Sequence, residues 1–233
     1  MTTTDDFTAV RPQLRIDGAE PLSRELIARV QAFADQAEEA GPDSVAVLRL
    51  TGDAPADAPV GVPADGVSIA LVNKWERALR RIERLSATTV AVVDGECGGT
   101  ALETLLTTDL RLGTPDVWLR LPSGAGPGSA WPGMALYRLA NQVGVARVRR
   151  AALFDTPVGA VDALELGLLD EIADDLDTAV AVALAVTPGR GADVAVRRQL
   201  LLEATTTTFE EALGRHLAAC DRVLRRGAHA SES

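Results

Sequence analysis

Apolar residues recur at three- and four-residue spacing at Leu22, Leu26, Ile27, Val30, Phe33 and Ala37, which predicts a helix over 21–40 stopped by Gly41-Pro42. A short strand at Leu14-Arg15-Ile16 precedes it, and the alternating, Val/Leu-rich stretch 44–50 predicts a second strand ending at Thr51-Gly52. Helical spacing returns at Trp75, Leu79, Ile82 and Leu85, followed by a buried-type strand over 88–93 that closes at Asp94-Gly95. The glycine pair Gly98-Gly99 opens a helical stretch over 100–108. Two short strands, 110–112 and 117–121, flank a Thr-Pro-Asp turn, and helical pieces follow at 134–143, 146–153 and 161–166, the last stopped by Gly167. Thr208-Phe209-Glu210-Glu211 is a capping box for a final helix to about Arg226, with acids in its first turn and arginines in its last.

Two stretches carry no period. Pro55, Pro59 and Pro63 break any regular element between 53 and 66, and glycines and prolines do the same between 123 and 133. Both read as long loops, which in compact domains are often functional. Short strands alternating with helices define an α/β class. No internal repeat or linker marks a second domain. The expected organisation is a flexible leader 1–11, a core 12–185, a C-terminal helical region 186–226 and a disordered tail 227–233.

The 233 residues are 47% hydrophobic, enough for one sizeable core, and no apolar run reaches the roughly 18 to 20 residues of a membrane span. The first residues, Met1 to Asp6, have neither the basic start nor the apolar stretch of a secretory signal, so a cytoplasmic location is expected. A net charge of −10 with scattered cations argues against a nucleic-acid partner. Cys97 and Cys220 are the only cysteines and His216 and His229 the only histidines, so neither a disulfide framework nor a zinc cluster can form, and no metal is expected. A Ser-His-Asp hydrolase would have to use His216, and no GxSxG elbow accompanies it. Lys74, the only lysine, lies in no P-loop, and GxGxxG is absent.

The sharpest chemical signal runs from Val90 through Asp94-Gly95-Glu96-Cys97-Gly98-Gly99-Thr100 to Glu103. A buried strand enters a glycine-bearing turn and then a helix, whose first backbone N–H groups are free to hold a phosphate or a developing oxyanion. A tight connection that simply needs positive φ explains the same glycines. Glu103 lies three residues beyond Thr100, on the same side of the helix. A desolvated carboxylate there can move a proton, whereas a solvated one would only complement the helix dipole.

This segment resembles the central motif of the crotonase (enoyl-CoA hydratase/isomerase) superfamily, with Asp94-Gly95 at its start, Glu103 at its glutamate and Asp109 at its final aspartate. Other stretches agree in order. Pro21 to Leu26 through Leu48-Arg49-Leu50-Thr51-Gly52 resembles the first helix and its strand, and Trp131-Pro132-Gly133 with Arg138-Leu139 and Val143-Gly144 resembles the Pro-Gly, Arg-Leu, Val-Gly run. Ala163 to Asp170 resembles the Glu-Ala-Leu-x-x-Gly-Leu-Val-Asp signature. The similarity spans roughly residues 12 to 225.

The resemblance implies a spiral of ββα units with a C-terminal helical trimerisation region, a homotrimer or dimer of trimers, and an acyl-CoA thioester as substrate with no further cofactor. It implies an enolate held by two backbone N–H groups, those of Thr100 and of Val60 in the first long loop, with Gly61, Gly99 and Ser123 contacting substrate and Glu103 as the acid/base. Preorganised donors of this kind contribute roughly 3 kcal/mol each. Ser123 stands where hydratases carry a second glutamate, which disfavours ordinary water addition. Asp116 and Asp170 are conceivable substitutes, read first as a turn residue and a structural acid.

Within the superfamily the pattern is most similar to the small hydratase-like proteins of dihydroxyphenylglycine biosynthesis in nonribosomal peptide antibiotic pathways. That similarity implies a lyase that helps dehydrate and aromatise a polyketide-CoA to dihydroxyphenylacetyl-CoA. Its implied partners are a type III polyketide synthase and other crotonase-family enzymes of the pathway. A catalytically weak partner that binds and enhances the synthase is the alternative.

Overall fold

The computed structural model describes residues 11–52, 68–122, 133–186 and 191–231. The helix α1 (Arg24–Ala40) starts where Ser23 accepts the Leu26 amide, and ends at Gly41 with φ +85°. It lies between the strands β1 (Gln13–Asp17) and β2 (Val45–Gly52). After it come α2 (Ile69–Ile82), capped by Ser68, β3 (Thr88–Cys97), α3 (Gly99–Leu105), β4 (Leu110–Gly113) and β5 (Trp118–Leu119). Then follow α4 (Ala135–Gln142), α5 (Val145–Phe154), β6 (Val158–Gly159), α6 (Ala160–Leu166) and β7 (Glu171–Ile172). The chain finishes with α7 (Leu176–Val186), α8 (Gly191–Ala204) and α9 (Phe209–Ser231).

Among the described residues β1, β2, β3, β4 and β7 lie side by side in that order, every pair parallel. The far end of β3 turns away to pair with β5, which pairs antiparallel with β6. The class is therefore α/β, as the alternating pattern predicts.

Strand alternation decides which helix covers which face. Ala46, Leu48 and Leu50 of β2 and Ala91 and Val93 of β3 join the main core with α1, α2 and α3. Val45, Val47, Val90, Val92 and Leu112 point the other way, where Ala179, Val180 and Ala183 of α7 cover them.

α8 is fastened by a buried cation. Arg198, 9% exposed, donates from Nε and Nη2 to the two oxygens of Asp109 at 2.5 and 2.7 Å, and its nitrogens also reach the carbonyls of Leu85 and Ala87 at 2.5 and 2.9 Å. Asp109 accepts in addition the amide and hydroxyl of Thr89 at 2.8 and 2.9 Å. The aspartate that closes the central motif is thus a structural anchor.

Two expectations change in detail. β3 runs four residues past Val93, because its end pairs with β5. The capping box forms as expected, with Thr208 and Glu211 exchanging amide bonds, but α9 continues to Ser231 and takes in most of the segment expected as a disordered tail. Phe209, Leu213, Leu217 and Leu224 are exposed along α9. No described helix is long and apolar enough to cross a membrane.

Candidate active site

β3 delivers the chain into α3 through Gly98 and Gly99. Gly99 has φ +50°, and a Cβ there would stand 3.2 Å from the Gly18 carbonyl oxygen, so the turn itself demands glycine. The connection reading is thereby met, and it leaves an N-terminal amide of α3 available. Ala101 and Leu102 donate back to the Gly98 carbonyl, whereas the Thr100 amide has no acceptor among the described residues. The Thr100 side chain is buried and donates to the Glu20 carbonyl at 3.2 Å, which ties the start of α3 to the segment before α1.

Glu103, one turn on, is only 2% exposed. The dipole-complement reading of a solvated acid is therefore excluded. Its Oε2 accepts the indole N–H of Trp75, and its Oε1 accepts the Gly133 amide at 2.9 Å. A Cβ on Gly133 would lie 2.5 Å from the carboxylate, so glycine alone lets this backbone approach. Burial pushes the Glu103 carboxyl up to about 7, against the opposing pull of the Trp75 bond; the charge of Glu76 adds to the rise, and the Gly133 bond and Arg138 oppose it. At neutral pH the group is poised between its two protonation states.

Around it lies a buried ionic cluster. Arg138 of α4, 7% exposed, donates from Nε to Glu83 at 2.7 Å and contacts Glu76 through Nη2 at 2.9 Å. Glu76 also accepts the Met134 amide at 2.6 Å.

Other candidates fall into structural roles. Asp170 accepts the Arg111 amide at 2.8 Å, and Asp116 takes the Thr114 hydroxyl at 2.5 Å, contacts that suit a structural acid and a turn residue. Cys97 is fully buried, which pushes its thiol up to about 12 and rules it out as a nucleophile near neutral pH. Val60, Gly61 and Ser123 lie outside the described residues. Arg24, Lys74 and Arg77 line a groove of about 310 Å³ between α1 and α2, with no carboxylate among its described lining residues.

Sequence reasoning placed Thr100 and Glu103 together but missed Trp75 and Gly133 as the holders of the carboxylate. The available signal was that a buried tryptophan needs an acceptor for its N–H.

No family model matches the chain. Solved structures do match over nearly its whole length. An enoyl-CoA hydratase/isomerase from Cupriavidus metallidurans CH34 superposes with a TM-score of 0.73 at 20% identity, covering 96% of this chain and 90% of the other. A putative enoyl-CoA hydratase from Thermobifida fusca YX, solved in complex with acetoacetyl-CoA, superposes with a TM-score of 0.66 at 18% identity and covers 93% of each chain. The fold is that of the crotonases. A protein from Amycolatopsis orientalis described as an enoyl-CoA-hydratase is 49% identical in an alignment of 224 positions that covers 92% of this chain and 96% of that one. The chain belongs to the enoyl-CoA hydratase family.

Proposed function

We propose that this protein is a lyase that removes water from a CoA-bound polyketide and so promotes its aromatisation to dihydroxyphenylacetyl-CoA beside a type III polyketide synthase. The observation that carries the reading is Glu103: a buried carboxyl, held by neutral donors and poised near neutrality, one turn from a Thr100 amide without an acceptor among the described residues. Ionised Glu103 takes the α proton of a β-hydroxy thioester, and the electron pair moves onto the thioester oxygen, where the Thr100 N–H stabilises it. As the C=C bond forms, the β C–O bond breaks and the leaving hydroxide takes the proton back from Glu103 as water. One carboxylate therefore serves as base and then as acid, and its charge is restored.

A neighbouring carbonyl in the polyketide acidifies the α proton, and aromatisation drives the loss of water. Neither help is available for water addition to a simple enoyl thioester, where the residue at the second acid position is Ser123. The cationic groove of Arg24, Lys74 and Arg77 supports a thioester whose CoA moiety carries phosphates. The purified protein is expected to hydrate crotonyl-CoA negligibly, yet to raise the yield of aromatic product when synthase and malonyl-CoA are supplied. Crotonyl-CoA turnover near that of a two-glutamate hydratase would overturn the reading.

The same proposal includes assembly into trimers, supported by the exposed apolar stripe on α9. Light scattering at micromolar concentration should give the mass of three or six chains, and a mass of one chain would refute it.

A further inference from the structure

Three carboxylates and one buried guanidinium share the region where α2, α3 and α4 meet, with the half-exposed Arg80 joining Glu83 from outside at 2.8 Å, and the way they pair is selective. The Arg138 guanidinium would be the natural partner for a buried carboxylate, yet Nε goes to Glu83 and Nη2 to Glu76. Its remaining nitrogen, Nη1, makes no hydrogen bond among the described residues. Glu103 receives instead two uncharged donors, the Trp75 indole and the Gly133 amide, one on each oxygen. Trp75 is fully buried on α2, in the residue before Glu76, so its ring packs as core while its N–H finds the carboxylate.

The choice of donor matters chemically. An arginine on Glu103 would lock it as an anion; a tyrosine could both donate and accept and would itself titrate. Indole N–H only donates and carries no charge. It fixes the position of an oxygen while leaving the group free to exchange its proton. Gly133 supports the same outcome from the other side, since any side chain there would collide with the carboxylate.

We propose that Trp75 is the positioning residue of Glu103: its indole N–H fixes one carboxylate oxygen without supplying a cation, so that Glu103 can hold and release a proton within one turnover. This rests on the acid/base role of Glu103 given above. The charged groups facing Glu103 are Glu76 from α2 and Arg138 from α4, with Glu83 behind Arg138. Glu76 favours the protonated form and Arg138 the ionised one, while the Trp75 bond also favours the ionised form.

The pair can be read in the native protein by its indole signal. In a ¹⁵N–¹H spectrum the Trp75 indole cross-peak, assigned from its loss in Trp75→Phe, should shift with pH around a midpoint near 7. The shift should vanish in Glu103→Gln. Trp75→Phe keeps an aromatic ring in the core but removes the donor. With a cooperative unfolding transition retained, it should lower kcat on the CoA-bound intermediate roughly 10- to 100-fold, the scale of a hydrogen bond to a charged group, with KM changed less than about twofold. The limb of the kcat–pH profile that reports ionised Glu103 should move to higher pH, because a donor to the anion is gone. An indole peak that ignores pH, or a Trp75→Phe variant with native kcat and native pH profile beside an inactive Glu103→Gln, would overturn the proposal. Full turnover by Glu103→Gln would instead overturn the acid/base reading on which it stands.

Discussion

Glu103→Gln should lower turnover of the CoA-bound intermediate by roughly 10² to 10⁴, the range for removing a positioned acid/base, while the chain still folds. The amide keeps the shape of the carboxyl but has one acceptor oxygen where two donors, Trp75 and Gly133, now find one each. One of those hydrogen bonds is lost, and in exchange a desolvated charge disappears. The native enzyme should also gain activity as pH rises through about 7, because proton abstraction needs the ionised form. Stability should move the other way. The folded carboxyl holds its proton up to about 7, whereas the unfolded one releases it near 4.5, so between these values the native state binds more protons and this contribution to stability falls as pH rises. Glu103→Gln should lack that slope. Unchanged turnover by the variant in the presence of the synthase would remove Glu103 from catalysis and favour a protein that acts by binding the synthase.

Arg198→Met should destabilise the fold by about 3–5 kcal/mol, the cost of leaving one partner of a buried ion pair uncompensated. Asp109 would keep only the Thr89 donors, and the carbonyls of Leu85 and Ala87 would lose the guanidinium nitrogens that now cap them. For a chain of this size the unfolding midpoint should drop by about 10 °C. A calorimetric midpoint equal to that of the native chain would show that α8 is held by something other than Arg198.

Where burial is one-sided, as along the stripe of α1, pattern and structure agree, and Gly41, Gly167 and the Thr208–Glu211 box mark the ends of α1, α6 and the start of α9. α7 and α8 escaped the periodic reading for opposite reasons. α7, Leu-Asp-Thr-Ala-Val-Ala-Val-Ala-Leu-Ala-Val, is apolar almost all round, so no face stands out. α8 turns a paired arginine inward, so its anchor is written as a charge. β6 and β7 are two residues each, too short to carry any period.

The candidate site was legible only as far as it is local. Gly99, Thr100 and Glu103 lie within five residues of one another, and a strand–turn–helix pattern places them. The partners of Glu103 are 28 and 30 positions away in sequence, on different elements, and nothing in the spacing joins them. Burial of Glu103, which converts a helix acid into a group poised near neutrality, comes from packing against α2 and the start of α4.

The fastening of α8 also sets an order of events during synthesis. Arg198 meets the carbonyls of Leu85 and Ala87 across 113 and 111 positions of chain. At roughly 5 to 20 residues per second, the ribosome takes on the order of 5 to 20 seconds to make the arginine after those residues have been added. Throughout that interval those carbonyls stay open to water, and for the last 89 positions of it the growing chain also carries Asp109 without its countercharge. The sheet can pair while translation proceeds, but its last polar seam closes only when α8 arrives.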